Sequence, residues 1–258
     1  MCSNKSKIRR NRLYKIVMSK FQVIVADPPW LFSDKLEMSS VPRGADANYP
    51  TLDIEEIKKL KVSEVADPNG CILALWVPSS LLQEGLDVME AWGFEQRQTY
   101  IWAKSKKKEN ITNVIRKELI GLVKKVQRKA VKLNGKPITF KDFEFVLDES
   151  ILGFGMGRLF RQTHEICLIG INSTKIYKLL NNKSQRSVSF GQNMKHSAKP
   201  GHLQNSLDLM FPRCKKLEIF ARRSLVGWTT IGNEVCDGED VRDSLQKLME
   251  VVNEDAVA

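Results

Sequence analysis

Asp27, Pro28, Pro29 and Trp30 follow directly on the apolar run Phe21–Ala26. An acid at the end of a buried strand offers a charged acceptor at the sheet edge. Pro28 and Pro29 lack backbone N–H groups and hold φ near −65°, so their carbonyls are pure acceptors in a stiff geometry. Trp30 adds a flat ring able to stack on another flat ring. Together these groups suit a flat substrate carrying an amino group, such as adenine. An exocyclic amine conjugated into a purine is a poor nucleophile, because its lone pair is delocalised. Acceptors on both of its N–H bonds favour pyramidalisation and stabilise the positive charge that grows as the nitrogen attacks a methyl group. Asp27 and the Pro28 carbonyl are the candidate pair. The same residues also fit a purely structural role, with Asp27 as a helix cap, proline in the first turn and Trp30 packed on the sheet.

The elements that would position this group alternate. Phe21–Ala26 reads as a buried strand, "TLDIEEIKKL" as a helix capped by Thr51 or Asp53, and "GCILALWV" as a second buried strand. "SSLLQEGLDVMEAWG" reads as a helix that Ser79 caps and Gly93 ends, and "FEQRQTYIWAK" as a third strand. Strands alternating with helices predict an α/β fold with a mainly parallel sheet and helices on both faces. Ligands of such sheets bind outside the carboxyl ends of the strands, which is where Asp27 falls. Downstream, "HEICLIGI", "KKLEIFAR" and "WTTIGNEV" read as strands, "KPGHLQNSLDLMF" as a helix, and "EDVRDSLQKLMEVV" as a final surface helix.

Composition narrows the function class. The formal net charge is +11. Residues 1–20 carry seven Lys or Arg and no acid, and residues 104–136 carry twelve against Glu109 and Glu118. The positive charge is thus gathered in two segments, a distribution suited to a phosphate backbone. The second contains a predicted amphipathic helix, Ile111 to Leu133, with Ile115, Leu119, Leu122, Val126, Ala130 and Leu133 at helical spacing. Lys124 and Arg128 lie on its basic surface and are candidate nucleic-acid contacts; packing on its own domain and self-association as a homodimer are the alternatives. No run reaches the roughly 18 apolar residues of a membrane span. The five cysteines are scattered, without a C-x-x-C pair, and three histidines leave little for a metal, so a reducing, intracellular setting and no metal are expected. The expected organisation is a basic tail over 1–20, a domain over 21–236 with a basic helical insertion at about 105–147, and an acidic helix or tail over 237–258. "GFGMG" lacks the spacing of a dinucleotide fingerprint and reads as a loop near the base pocket, with Arg158 and Arg161 available to phosphates.

Asp27-Pro28-Pro29-Trp30, together with "YPTL" at Tyr49–Leu52, "LWV" at Leu75–Val77, "IWAK" at Ile101–Lys104, "RQTHEICLIG", "HSAKP", "LEIFAR" and "WTTIGNE", resembles the MT-A70-like family of adenine-N6 methyltransferases, in one order across most of Phe21–Val235. The resemblance implies a Rossmann-like domain using S-adenosylmethionine, with nucleic acid as partner and DNA favoured over RNA because the chain is as compact as the bacterial and phage members. It implies catalytic roles for Asp27, Pro28, Pro29 and Trp30. For the cofactor it implies Ala26, Asp27, Lys199 at the carboxylate end, and Phe220, Arg222, Asn233 and Glu234 around the adenosine. For the substrate it implies Tyr49, Lys104 and Glu165. The chain departs from the family pattern at Gly201, Ser224 and Glu234.

Overall fold

The computed structural model describes residues 20–31, 51–107, 159–192, 198–235 and 238–257, with scattered positions between 113 and 155. The apolar runs Val23–Ala26 (β1) and Ile72–Val77 (β2) are buried at every position. That is what a strand covered on both faces requires. β3 (Glu95–Ser105) follows, and β4 (Lys132–Leu133) with β5 (Lys136–Pro137) forms a separate two-stranded ribbon. With β6 (His164–Ile171), β7 (Val188–Gln192), β8 (Lys216–Ile219) and β9 (Thr229–Ile231), the main sheet has seven strands in the order β7-β3-β6-β2-β1-β8-β9.

β1 pairs in parallel with β2 and β8, β8 with β9, and β3 with β7. β6 runs antiparallel between β2 and β3, so the mainly parallel sheet has one reversed strand. The reversal places β6's first residues, His164 and Glu165, at the edge where its neighbours end. The chain continues from β1 to β2 on one side and reaches β8 on the other. The boundary between β1 and β8 is therefore a topological switch point.

Both faces are covered. Alternate residues of β1 divide between two cores: Ile24 and Ala26 join Leu73, Leu75, Ile57, Val88 and Leu245, while Val23 and Val25 join Trp76, Trp102, Leu203 and Leu207. Each large side chain buried this way contributes roughly 1.5–3 kcal/mol. The first face carries α1 (Ile54–Lys58), α2 (Val62–Val65) and α3 (Leu82–Ala91); the second carries α4 (His202–Met210) and a 3₁₀ turn, Thr174–Leu179. The cap of α1 is Asp53, not Thr51: its carboxylate accepts from the Glu56 N–H at 2.7 Å, and the Glu56 carboxylate accepts from the Asp53 N–H at 3.1 Å.

Several expectations change. Ser79 does not cap α3, because a 3₁₀ turn over Ser79–Leu81 precedes that helix and no side chain caps it. The last helix, α5 (Val241–Val257), is the final helix expected in the acidic segment, and it buries Val241, Leu245 and Met249 in the first core. Asn113, Arg116, Lys117, Ile120, Gly121 and Lys124 are helical, whereas Leu133 belongs to β4, so the helical pattern stops short of its expected end. The stripe residues Ile115, Leu119, Leu122, Val126 and Ala130, and the tail 1–19, lie outside the described residues. Among the described residues no helix is long and apolar enough to cross a membrane.

Candidate active site

Asp27 leaves β1 at the switch point, where its N–H is bonded to the Ile219 carbonyl of β8 at 3.4 Å. The turn after it is fixed by its own backbone. Pro28 O accepts from the Trp30 N–H at 2.9 Å, and Pro29 O accepts from the Leu52 N–H at 3.0 Å. A carbonyl has two lone pairs, so the Pro28 oxygen keeps one for a further donor. Trp30 is only 3% exposed, and its indole N–H donates to the Trp76 carbonyl at 2.9 Å. The stacking plate expected of Trp30 is therefore not presented: the ring is held in the core and braces the turn that carries Asp27.

Four charged side chains form a chain across this end of the cleft. Lys199 Nζ donates to both oxygens of Asp27, at 3.0 and 2.9 Å, and lies 3.2 Å from Glu165 Oε2. Lys104 Nζ meets the other Glu165 oxygen at 2.8 Å. The two cations lie over aromatic rings, Lys199 at 5.5 Å from the Trp76 centroid and Lys104 at 5.4 Å from that of Trp102. Burial works against the Lys199 ammonium, but the charges of Asp27 and Glu165 outweigh it and the net pKa is raised. Burial, with the Asp27 charge nearby, pushes the Cys167 thiol well up.

The wall next to Asp27 is built from the strand ends of β8 and β9, because Ala26 is in register with Ile219. Phe220, directly after β8, has φ 62°, a left-handed conformation that a bulky residue rarely adopts. Strain of this kind costs of order 1–3 kcal/mol and is held by its surroundings. Here the surroundings are backbone: Ala221 N–H donates to the Ile231 carbonyl at 2.9 Å. A Cβ added at Gly232 would stand 2.6 Å from the Ala221 oxygen, so only glycine permits the approach. Arg222 and Glu234 face each other across these two strand ends, Nε to Oε1 at 3.6 Å.

One cleft of about 580 Å³ joins the two groups. The structure brings Asp27, Pro28, Pro29, Trp30, Lys104, Glu165, Lys199, Phe220, Arg222, Asn233 and Glu234 together on its walls. Ala26 is not among them, because it is fully buried within β1. Lys124 is an exposed helical residue that does not line the cleft. Tyr49, Arg128 and Arg158 lie outside the described residues. Trp76, Ser79, Ser80 and Gln162 also line the cleft and were missed as site residues. The first three sit at or just after the carboxyl end of β2, where the strand-end rule already pointed. Gln162 gives no such signal: its amide donates to Ser79 Oγ at 3.1 Å and to the His164 carbonyl at 3.3 Å, links invisible in sequence. Among the described residues no group of three His, Cys, Asp or Glu side chains could hold a metal ion.

A Rossmann-like sheet with its cleft at the switch point, and a D-P-P-W turn on the cleft floor, defines an α/β methyltransferase. The MT-A70 family model matches residues 21–131 and 146–234, and the chain belongs to that family. It is similar to the Type II methyltransferase M.MunI of Mycoplasma sp, 26% identical over 235 residues, 85% of this chain and 80% of that protein. It is similar also to the probable N(6)-adenosine-methyltransferase MT-A70-like of Oryza sativa subsp. japonica, 24% identical over 221 residues, and to the N(6)-adenosine-methyltransferase catalytic subunit METTL3 of Homo sapiens, 22% identical over 229 residues. These alignments cover 85% and 88% of this chain but only 24% and 30% of the two relatives. The protein is thus an enzyme of the adenine-N6 methyltransferase class.

Proposed function

We propose that the cleft binds S-adenosylmethionine and methylates N6 of an adenine presented by nucleic acid, with DNA the preferred substrate. The observation that carries this reading is the Asp27 carboxylate, set at the switch point beside the Pro28 carbonyl and gripped through both oxygens by Lys199.

The cofactor fits the donor set. Asn233 and Glu234 suit ribose hydroxyls, Phe220 offers an apolar face, and Arg222 adds donors, all on the wall formed by the ends of β8 and β9. The volume lies within the roughly 300–1,000 Å³ of small-molecule sites. When bound, the cofactor supplies an electrophilic methyl group on a sulfonium centre. Lys199 reads differently from the sequence-based expectation: with Asp27 and Glu165 already on its ammonium, it meets a cofactor carboxylate only by sharing its donors.

The chain's own groups do the rest. Each carboxylate oxygen of Asp27 keeps a lone pair after accepting from Lys199, so one N6–H bond can be accepted there and the other at Pro28 O. As charge builds on N6, these acceptors strengthen, and they are already oriented. A hydrogen bond to a charged group contributes roughly 1.5–3 kcal/mol, about one to two decades in rate. Lys104 and Lys199 hold Glu165 in the cleft wall, and Glu165 in turn keeps Lys199 seated against Asp27. DNA is put first because the relative aligned over most of its own length, 80% of it, is a Type II methyltransferase.

Labelled S-adenosylmethionine incubated with matched DNA and RNA oligonucleotides tests the reading. Label in DNA adenine at N6 is the expected result, label in RNA alone would reverse the substrate order, and label in neither would sink the proposal.

A further inference from the structure

The chain beside the cleft carries two apolar side chains that the fold does not use. Leu159 is 93% exposed and Phe160 is 88% exposed. Among the described residues no other adjacent pair of large apolar side chains is so bare. Folding gains nothing from such a pair, since almost none of its apolar surface leaves water.

Its position is fixed by the cleft wall. Lys104 receives both limbs of the segment: the Gly153 N–H donates to Lys104 O at 2.6 Å, and the Lys104 N–H donates to Thr163 O at 2.7 Å. Ser105 and Leu152 form an antiparallel bridge just below. A Cβ on Gly155 would collide with the Gln162 carbonyl oxygen, so the Gly155 backbone lies against a cleft residue. Phe160 is two residues from Gln162, which limits the separation of their Cα atoms to about 7 Å. The pair therefore stands just outside the cleft lining, with Phe160 within about 7 Å of the wall residue Gln162 and the exposed Arg161 next to it.

A base that enters the cleft from a duplex leaves a gap in the stack. Minor-groove and architectural proteins use Phe and Leu as wedges between base steps, and an aromatic ring stacks on any base. The geometry points to Leu159 and Phe160 as that wedge: they insert into duplex DNA where the target adenine has left and keep its neighbours from closing. This inference rests on the proposed adenine-N6 activity. It assigns the pair to opening the duplex and not to the methyl transfer itself.

The test compares wild type, Phe160→Ala, Leu159→Ala/Phe160→Ala and Phe160→Trp on native plasmid DNA and on the same DNA after heat denaturation, with labelled cofactor. The ratio of duplex to denatured incorporation is expected to fall at least 10-fold in the alanine variants and to be held by Phe160→Trp. Cofactor titration confirms that each variant is folded. An unchanged ratio overturns the wedge, as does a wild type that labels only denatured DNA or only RNA. A fall in solution mass of the double variant assigns the pair to self-association and overturns it too. Failure of the methylation reading looks different, because wild type then labels no nucleic acid.

Discussion

The two groups of cleft residues are organised by different means. Around Asp27, side chains position side chains: Lys199, 13% exposed, ties Asp27 to Glu165, and Glu165 to Lys104, over the rings of Trp76 and Trp102. Around Arg222, the backbone does the positioning, through Phe220 at φ 62° and the Gly232 approach, while the one ion pair described there is long and Glu234 is 56% exposed. A group that must meet growing charge profits from fixed, poorly hydrated acceptors. A site that must exchange a cofactor each cycle profits from a shaped backbone and loose polar contacts. Damage in the first group should therefore fall on the rate, and damage in the second on affinity.

The largest effect is expected from Asp27→Asn. The substitution keeps the shape but removes the charge that would accept from N6 in the proposed reaction, and with it the bidentate grip of Lys199. Loss of about 10²–10³ in kcat is expected, the scale of deleting one charge-stabilising group, with cofactor binding little changed. A variant that loses cofactor binding but keeps its rate at saturation would reverse the assignment of the two groups.

Lys199→Met should come next, with kcat lower by about 10–100-fold, since it releases the Asp27 carboxylate from its orientation without removing it. Its pH behaviour separates positioning from mere stability. Because the folded-state pKa of Lys199 is raised, its ammonium stabilises the fold fully below the ordinary lysine value, and that contribution is lost as pH rises through the raised one. Melting curves of wild type should show this alkaline loss, and those of Lys199→Met should lack it. Arg222→Ala should act more weakly and on the other parameter, raising the cofactor KM about 10-fold with kcat held.

The same contrast governs what could be read from sequence. β1 and β2 were legible because a strand buried on both faces leaves an unbroken apolar run, and Asp27 was legible because it follows such a run. Lys199 was recognisable only through its motif: its partner Asp27 lies 172 positions away, and no local pattern encodes an ion pair at that distance. Trp30 could stack or pack, and the choice is made by the Trp76 carbonyl, 46 positions on. Ser79 has the chemistry of a helix cap, yet it faces Gln162 across the cleft, and a 3₁₀ turn takes the helix start. β7 was missed because "VSFGQ" is half polar or glycine and sits at the sheet edge, where Val188 and Phe190 remain exposed. The reversed β6 was beyond reach for another reason. An apolar strand carries no mark of its direction.

The smallest effect is the most specific, and it lies on β8, outside the cleft lining. Glu218 is half-buried, and burial raises its pKa; the Gln204 amide, which donates to Glu218 Oε1 at 3.1 Å, offsets this only in part. The buried Gln204 Oε1 has no hydrogen-bond partner. A protonated Glu218 has a donor to offer it and a carboxylate has none, so the pair is better matched in the neutral form. The sign follows: stability is greatest below the ordinary carboxylate range and falls as pH rises through the raised pKa of Glu218. Glu218→Gln keeps the acceptor for Gln204 and adds a permanent donor for Gln204 Oε1. At neutral pH the variant should be more stable by about 1 kcal/mol, the scale of one hydrogen bond, with the gain shrinking as the pH is lowered. Denaturant titrations at several pH values read this directly. An equal or lower stability at neutral pH would mean that the Glu218 charge is needed, which would tie β8 to the electrostatics of Asp27, whose charge acts on Glu218, and weaken the division drawn between the two groups of residues.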